Sequence, residues 1–142
     1  MTAGYDASTS RATTIEPLLS VRRGAAAIEF YHAAFGATTL TRIDAEDGTV
    51  VARLAVGDAT FWVADESPTH QNFSPESLGG ATTRLILSVE DPHATFAGAV
   101  SAGAKMVAPV TAQPYGWLVG RVEDPFGHHW EIGKPLTTDD AA

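Results

Sequence analysis

Residues 123–133 read EDPFGHHWEIG and bring two adjacent histidines, His128 and His129, within three residues of Glu131. Imidazole nitrogens and a carboxylate are the usual donors of a transition-metal site. Strand geometry limits what they do together. If HHWEI is a strand, His129 and Glu131 share one face, and His128, Trp130 and Ile132 share the other. The two histidines then point apart and do not chelate one ion jointly. His128 reads as a turn or rim residue. His129 either lines whatever Glu131 faces or is simply polar at a strand start. No GxGxxG, P-loop or GxSxG pattern accompanies them. There are no cysteines, which excludes disulfides, thiolate zinc sites and a cysteine nucleophile.

These residues need elements to hold them, and the chain supplies two similar runs. IEPLLSV, residues 15–21, is β-prone. A helix follows, with Ile28, Tyr31 and Phe35 at helical spacing and Gly36 where a C-cap favours a left-handed residue. TTLTRI, VVARLAV and ATFWVAD are then separated by turns at Asp47-Gly48 and Gly57-Asp58. The same order starts again at TRLILSV, residues 83–89. Asp91 offers an N-cap, Pro92 a first helical residue, Phe96 and Val100 an apolar face, and Gly103 an end. Strands follow around KMVAPV, WLVGRVE and HHWEI. Ser20-Val21 matches Ser88-Val89, Arg53 matches Arg121, and Trp62 matches Trp130, each 68 positions on. The reading is two βαβββ modules. Module one covers 15–65, module two 83–133, and a long linker 66–82 joins them into one domain. Residues 1–14 form an N-terminal arm and 134–142 a tail.

The 142 residues suit one domain with a sizeable core. Net charge is −8, and the nine basic residues are scattered. That disfavours nucleic acid, which needs a basic face. No apolar run approaches 18 residues, and no apolar h-region opens the chain. The expectation is therefore no membrane span, no secretory signal and a cytoplasmic protein.

AAIEFYHAAFGA in the first half and VEDPFGHHWEI in the second resemble the vicinal oxygen chelate superfamily. Its members include glyoxalase I, extradiol dioxygenases, fosfomycin-resistance enzymes and bleomycin-resistance proteins. The resemblance covers residues 15–133. It implies an α+β fold in which the two βαβββ modules form an open eight-stranded pseudo-barrel around a pocket. It also implies a homodimer in many members. In metal-dependent members four positions on the first and last strands of the modules ligate the metal. Placed here, they are Glu16, Val63, Arg84 and Glu131. Valine donates nothing and arginine is a fixed cation, so the site is expected to hold no metal and no other cofactor. A divalent metal on Glu16, His129 and Glu131 is the alternative.

By the same alternation Phe61, Val63 and Asp65 share Val63's pocket face, and Trp62 and Trp130 turn away beneath the helices. Tyr115 and Trp117, either side of Gly116, are rim residues or exposed loop anchors. Phe73 is a candidate lid residue. The expected ligand pocket thus gathers Glu16, Phe61, Val63, Arg84, Tyr115, Trp117, His129 and Glu131, with Arg84 between the two carboxylates. Two readings of that cluster stay open: a structural ion cluster filling a cavity, or a site where Arg84 takes a ligand oxygen. The function expected is sequestration of a small organic molecule, as in the bleomycin-resistance branch. The alternatives are a metal-dependent lyase, isomerase or dioxygenase, and a metal-free acid–base enzyme.

Overall fold

The computed structural model describes residues 12–137. Most of the expected N-terminal arm, residues 1–11, and the end of the expected tail lie outside them. The chain forms β1 (Leu18–Val21), α1 (Gly24–Phe35), β2 (Thr38–Asp44), β3 (Val50–Val56) and β4 (Ala59–Asp65). A 3₁₀ turn (Pro68–His70) and a one-turn helix, α2 (Pro75–Leu78), occupy the linker. β5 (Arg84–Ser88), α3 (Pro92–Ala102), β6 (Lys105–Ala112), β7 (Trp117–Glu123) and β8 (His129–Pro135) complete the second module. The fold is α+β. Two four-stranded sheets, ordered β1-β4-β3-β2 and β5-β8-β7-β6, form an open pseudo-barrel of eight strands.

Local chemistry explains the boundaries. α1 ends at Gly36, whose φ of 68° is costly for any residue with a Cβ. The side chain of Asp91 caps α3 by accepting from the Ala94 amide, with Pro92 in the first turn. Gly57 turns the β3–β4 hairpin at φ 58°. In the linker the Glu66 carboxylate accepts from the Ser74 amide and the Ser77 hydroxyl. Those two bonds, the amide's first, hold its pKa below the usual range. Glu66 thus pins the segment that carries Phe73, which is half-exposed beside β1.

The helices pack against each other between the sheets' inner faces. They meet through small residues: a Cβ on Gly98 would sit 3.7 Å from the Ala34 carbonyl. Ala99, not Val100, is the buried residue of that face of α3, and Val100 is exposed. An aromatic cluster then joins the modules. Tyr31 and Phe35 of α1 lie 5.5 and 4.8 Å, centroid to centroid, from Trp130 of β8. Phe126, in the turn before β8, packs on Phe30 at 6.1 Å. Such edge and tilted contacts add to the area the rings bury.

Asp124 ties this core together. It is buried, and its Oδ2 accepts from the Tyr31 hydroxyl at 2.5 Å and from Trp130 Nε1 at 2.9 Å. Its Oδ1 accepts from the amides of Phe126 and His128, both at 2.9 Å. Beside it, His128 Nε2 donates to the Ser20 carbonyl of β1 at 2.9 Å. His128 therefore fastens the β7–β8 turn to the first module, a more specific role than a rim residue. No helix among the described residues is long and apolar enough to cross a membrane.

Candidate functional site

The outer face of the second sheet carries the chemistry. Arg121 on β7 and Glu131 on β8 are register partners, and Glu131 faces Ile86 on β5. Alternation puts Arg84, His129, Val119 and Trp117 on the same face. A cavity of about 290 Å³ opens there, lined by Ile86, Tyr115, Trp117, Val119 and Glu131. Glu131 Oε2 lies 3.1 Å from Arg84 Nη1 and 3.6 Å from Arg121 Nη2. His129 stands at the opposite end of this face from Trp117, with Nε2 3.8 Å from Glu123 and a buried Nδ1 that has no hydrogen-bond partner. The structure thus brings Glu131, Tyr115 and Trp117 around one opening, while Arg84 reaches it only through its ion pair with Glu131 and lines the separate crevice at the starts of β1 and β5.

Glu16 is elsewhere. It lies on the outer face of the first sheet, where Arg53 Nη2 donates to its Oε2 at 2.6 Å. The Thr60 hydroxyl donates to the same oxygen, and Trp62 Nε1 donates to Oε1 at 3.0 Å. Bonds from Arg53, then Thr60 and Trp62, pull its pKa down to about 2. The expected bridge from Glu16 through Arg84 to Glu131 is therefore replaced by two separate clusters. Glu16 and Arg84 do line one crevice of about 510 Å³ at the starts of β1 and β5, but they pair in different directions.

Val63 also departs from expectation, being fully buried in the core. Phe61 packs at 5.4 Å on Tyr31 and 5.6 Å on Trp130 and also lines the crevice that Glu16 and Arg84 share. Trp62, expected beneath a helix, is on the outer face instead, where its indole meets Glu16. The physical reason is a turn length. Four residues separate the partners Ala55 and Thr60, whereas five separate Glu123 and His129. That extra residue puts Glu131 in register with Trp62 rather than Val63, and a one-residue slip exchanges the faces of a strand. Counting the Gly57-Asp58 hairpin against DPFGH would have found it. The real four-position set is Glu16, Trp62, Arg84 and Glu131. An indole N–H only donates and a guanidinium is a cation, so these side chains do not make a metal donor set. Among the described residues no three His, Asp or Glu side chains form a group that could hold a metal ion.

Arg121 was legible only as a repeat match to Arg53 and Val119 only as a strand residue, whereas the alternation that puts Arg84 on the pocket face of the fifth strand puts Ile86 there too. Their place in the cavity follows from the β7–β8–β5 register.

Comparison with known proteins agrees with this geometry. An uncharacterised protein of Mycobacterium bovis is 38% identical over 133 residues, covering 88% of each chain. The X-ray structure of an Arabidopsis thaliana gene product superposes with a TM-score of 0.69 at 28% identity, covering 87% of this chain and 100% of that one. TioX from Micromonospora sp. ML1 gives the same TM-score and identity over 88% of this chain and 100% of its own. The sequence pattern of one family matches residues 13–132. With two βαβββ modules, this chain belongs to the Glyoxalase/Bleomycin resistance protein/Dioxygenase superfamily.

Proposed function

We propose that the protein binds a small organic molecule in the cavity on its second sheet, without a metal, and sequesters it rather than transforming it. The observation that carries this reading is the lining. Ile86, Tyr115, Trp117 and Val119 offer an apolar, aromatic wall, and Glu131 with its arginines offers a few convergent polar groups at one end. Small-molecule sites are built this way. Arg84 and Glu131 stand where metal-dependent relatives place ligand atoms, and Arg84 puts a permanent positive charge there. Glu16 makes a poor general base, since its carboxylate is fully engaged and its pKa lies near 2. The working form is a homodimer in the cytoplasm. Support for the dimer comes from Leu40 and Ile43 of β2 and Met106 and Val107 of β6, large apolar side chains that stand about half exposed on one chain.

The test couples metal analysis to ligand screening. Protein purified without chelator is expected to carry far less than one equivalent of Zn, Ni, Mn or Fe per chain. Compounds that raise its melting temperature are expected to bind saturably and to be recovered chemically unchanged. Trp117→Ala should weaken them. Stoichiometric metal lost on Glu131→Gln, or turnover of a bound compound, would refute the reading.

A further inference from the structure

The two modules solve the same local problem with different charge balances. On the first sheet Glu16 of β1's lead-in faces one arginine, Arg53, and both its oxygens are filled by Arg53, Thr60 and Trp62. That cluster is neutral and closed. On the second sheet the roles are permuted: the position matching Glu16 is Arg84, and the position matching Trp62 is Glu131. Arg121 keeps the place of Arg53. One carboxylate therefore meets two guanidiniums, both reaching the same oxygen, Oε2. Neither arginine forms an ion pair with any other acidic group among the described residues. The row carries one uncompensated positive charge on a protein whose net charge is −8. The remaining charges of that face are separate: Glu123 lies against His129 and opposite Lys105 in register.

Geometry says what that charge is for. Arg121, Val119 and Trp117 follow one another at every second residue of β7, on one face. From Arg121 to Trp117 is therefore roughly 13 Å along the strand. Along the cavity Glu131 comes first, with both guanidiniums against its Oε2 at the edge, then Val119 with Ile86 alongside, then the rings of Trp117 and Tyr115. Guanidinium N–H groups form a planar fork that matches a carboxylate. A structural ion cluster would need no aromatic wall, and an apolar pocket would need no second arginine.

We infer that the cavity takes a monoanionic organic acid, its carboxylate on the Arg84–Arg121 pair and a flat apolar body against Trp117, Val119 and Ile86. This rests on the cavity being the ligand site proposed above. It reverses the preference for a neutral or cationic ligand that a cluster of two carboxylates around one arginine would have.

The experiment is calorimetric titration with three probes of one shape: naphthalene-2-carboxylate, naphthalene-2-carboxamide and naphthalen-2-ylmethylammonium. The carboxylate is expected to bind about tenfold or more tightly than either other probe, the discrimination that one charge-assisted hydrogen bond supplies. Added salt should narrow that gap. Arg121→Met should bring carboxylate and carboxamide within roughly threefold of each other while leaving the carboxamide affinity in place. Glu131→Gln, which removes the competing carboxylate, should widen the gap. Arg42→Met, which deletes a positive charge on β2 of the other module, should leave it unchanged. Equal binding of carboxylate and carboxamide, or tightest binding of the ammonium probe, would overturn the anion assignment and leave the pocket standing. No binding of any probe at millimolar concentration would overturn the pocket and the assignment together.

Discussion

Replacing Asp124 by alanine tests whether the two modules are held by one buried carboxylate. Four donors converge on it: the Tyr31 hydroxyl, Trp130 Nε1 and the amides of Phe126 and His128. Tyr31, Phe126 and Trp130 are each at most 3% exposed, so water does not readily replace the lost acceptor. A buried donor left without a partner costs about 1–3 kcal/mol. Three of them sum to about 3–9 kcal/mol, an upper bound, because removing the carboxylate also removes its own desolvation cost. The net expectation is a loss of about 3–5 kcal/mol, the usual cost of breaking a buried charged network. Tyr31→Phe should cost less, about 1.5–3 kcal/mol, because Asp124 then keeps three donors. Asp124→Asn should fall below the alanine variant too: its oxygen can still serve the two backbone amides, and the Tyr31 hydroxyl can rotate to accept from its NH₂.

The assay is urea unfolding followed by tryptophan fluorescence and far-UV circular dichroism at one fixed protein concentration, since association would shift the midpoint. With m near 2 kcal/mol/M, the alanine variant should move the midpoint down by roughly 2 M. The double variant Tyr31→Phe/Asp124→Ala should be little worse than Asp124→Ala alone, because the shared bond is already gone. An alanine variant within about 1 kcal/mol of the parent at unchanged m would refute the idea that Asp124 is the acceptor for these groups. Alkaline titration gives a second reading. Burial first, then the charge of Asp124, holds the Tyr31 phenol well above its ordinary value of 10.0. Its contribution is therefore complete below pH 10 and declines only as pH rises beyond that.

The Glu16 cluster predicts an acid limb. Its folded pKa of about 2 lies below the ordinary 4.5, so the stability it contributes is present above pH 4.5 and is lost as pH falls toward 2. Melting temperatures between pH 6 and 2 should show a shallower acid decline for Glu16→Gln than for the parent, and identical slopes would count against the cluster. Sedimentation at micromolar concentration should give a homodimer, because the outer strands β2 and β6 are exposed throughout or nearly so and carry Leu40, Ile43, Met106 and Val107 at the surface. A monomer under those conditions would rule the assembly out.

The architecture was legible because its signals are local and repeated. Gly36, Asp91-Pro92 and the Gly57-Asp58 hairpin each mark a boundary by backbone chemistry, and the second module repeats the order of the first. The half of the site on the second sheet was legible for the same reason. Alternation along HHWEI separates His128 from Glu131, and the first-strand match of Glu16 to Arg84 holds. The first-sheet half was misread because one count propagates. Trp62 matching Trp130 at 68 looked like the repeat continuing, yet the two indoles sit on opposite faces: Trp130 is buried under α1, and Trp62 caps Glu16. The partner of Asp124 was out of reach for a different reason. Tyr31 lies 93 residues away, and no periodicity carries a contact that only the docking of the two modules creates.

That docking also explains why the modules could diverge in chemistry without diverging in fold. The groups that hold the halves together, Tyr31, Asp124, Trp130 and the Phe30–Phe126 contact, all lie on the inner faces. The outer faces are free of that duty. On the first, carboxylate and cation are matched one to one, and an indole and a hydroxyl complete the shell, which leaves nothing for a ligand to pair with. On the second, the carboxylate stands on β8 where the first sheet has an indole, an arginine stands at the start of β5 where the first has Glu16, and Arg121 keeps the place of Arg53; the hydrogen-bonded ladders are unaffected, since side chains on an open face take no part in them. That arrangement leaves one guanidinium in excess near an aromatic wall. An unmatched charge at a half-open site is tolerated because water solvates it, and that water is what an incoming carboxylate would displace.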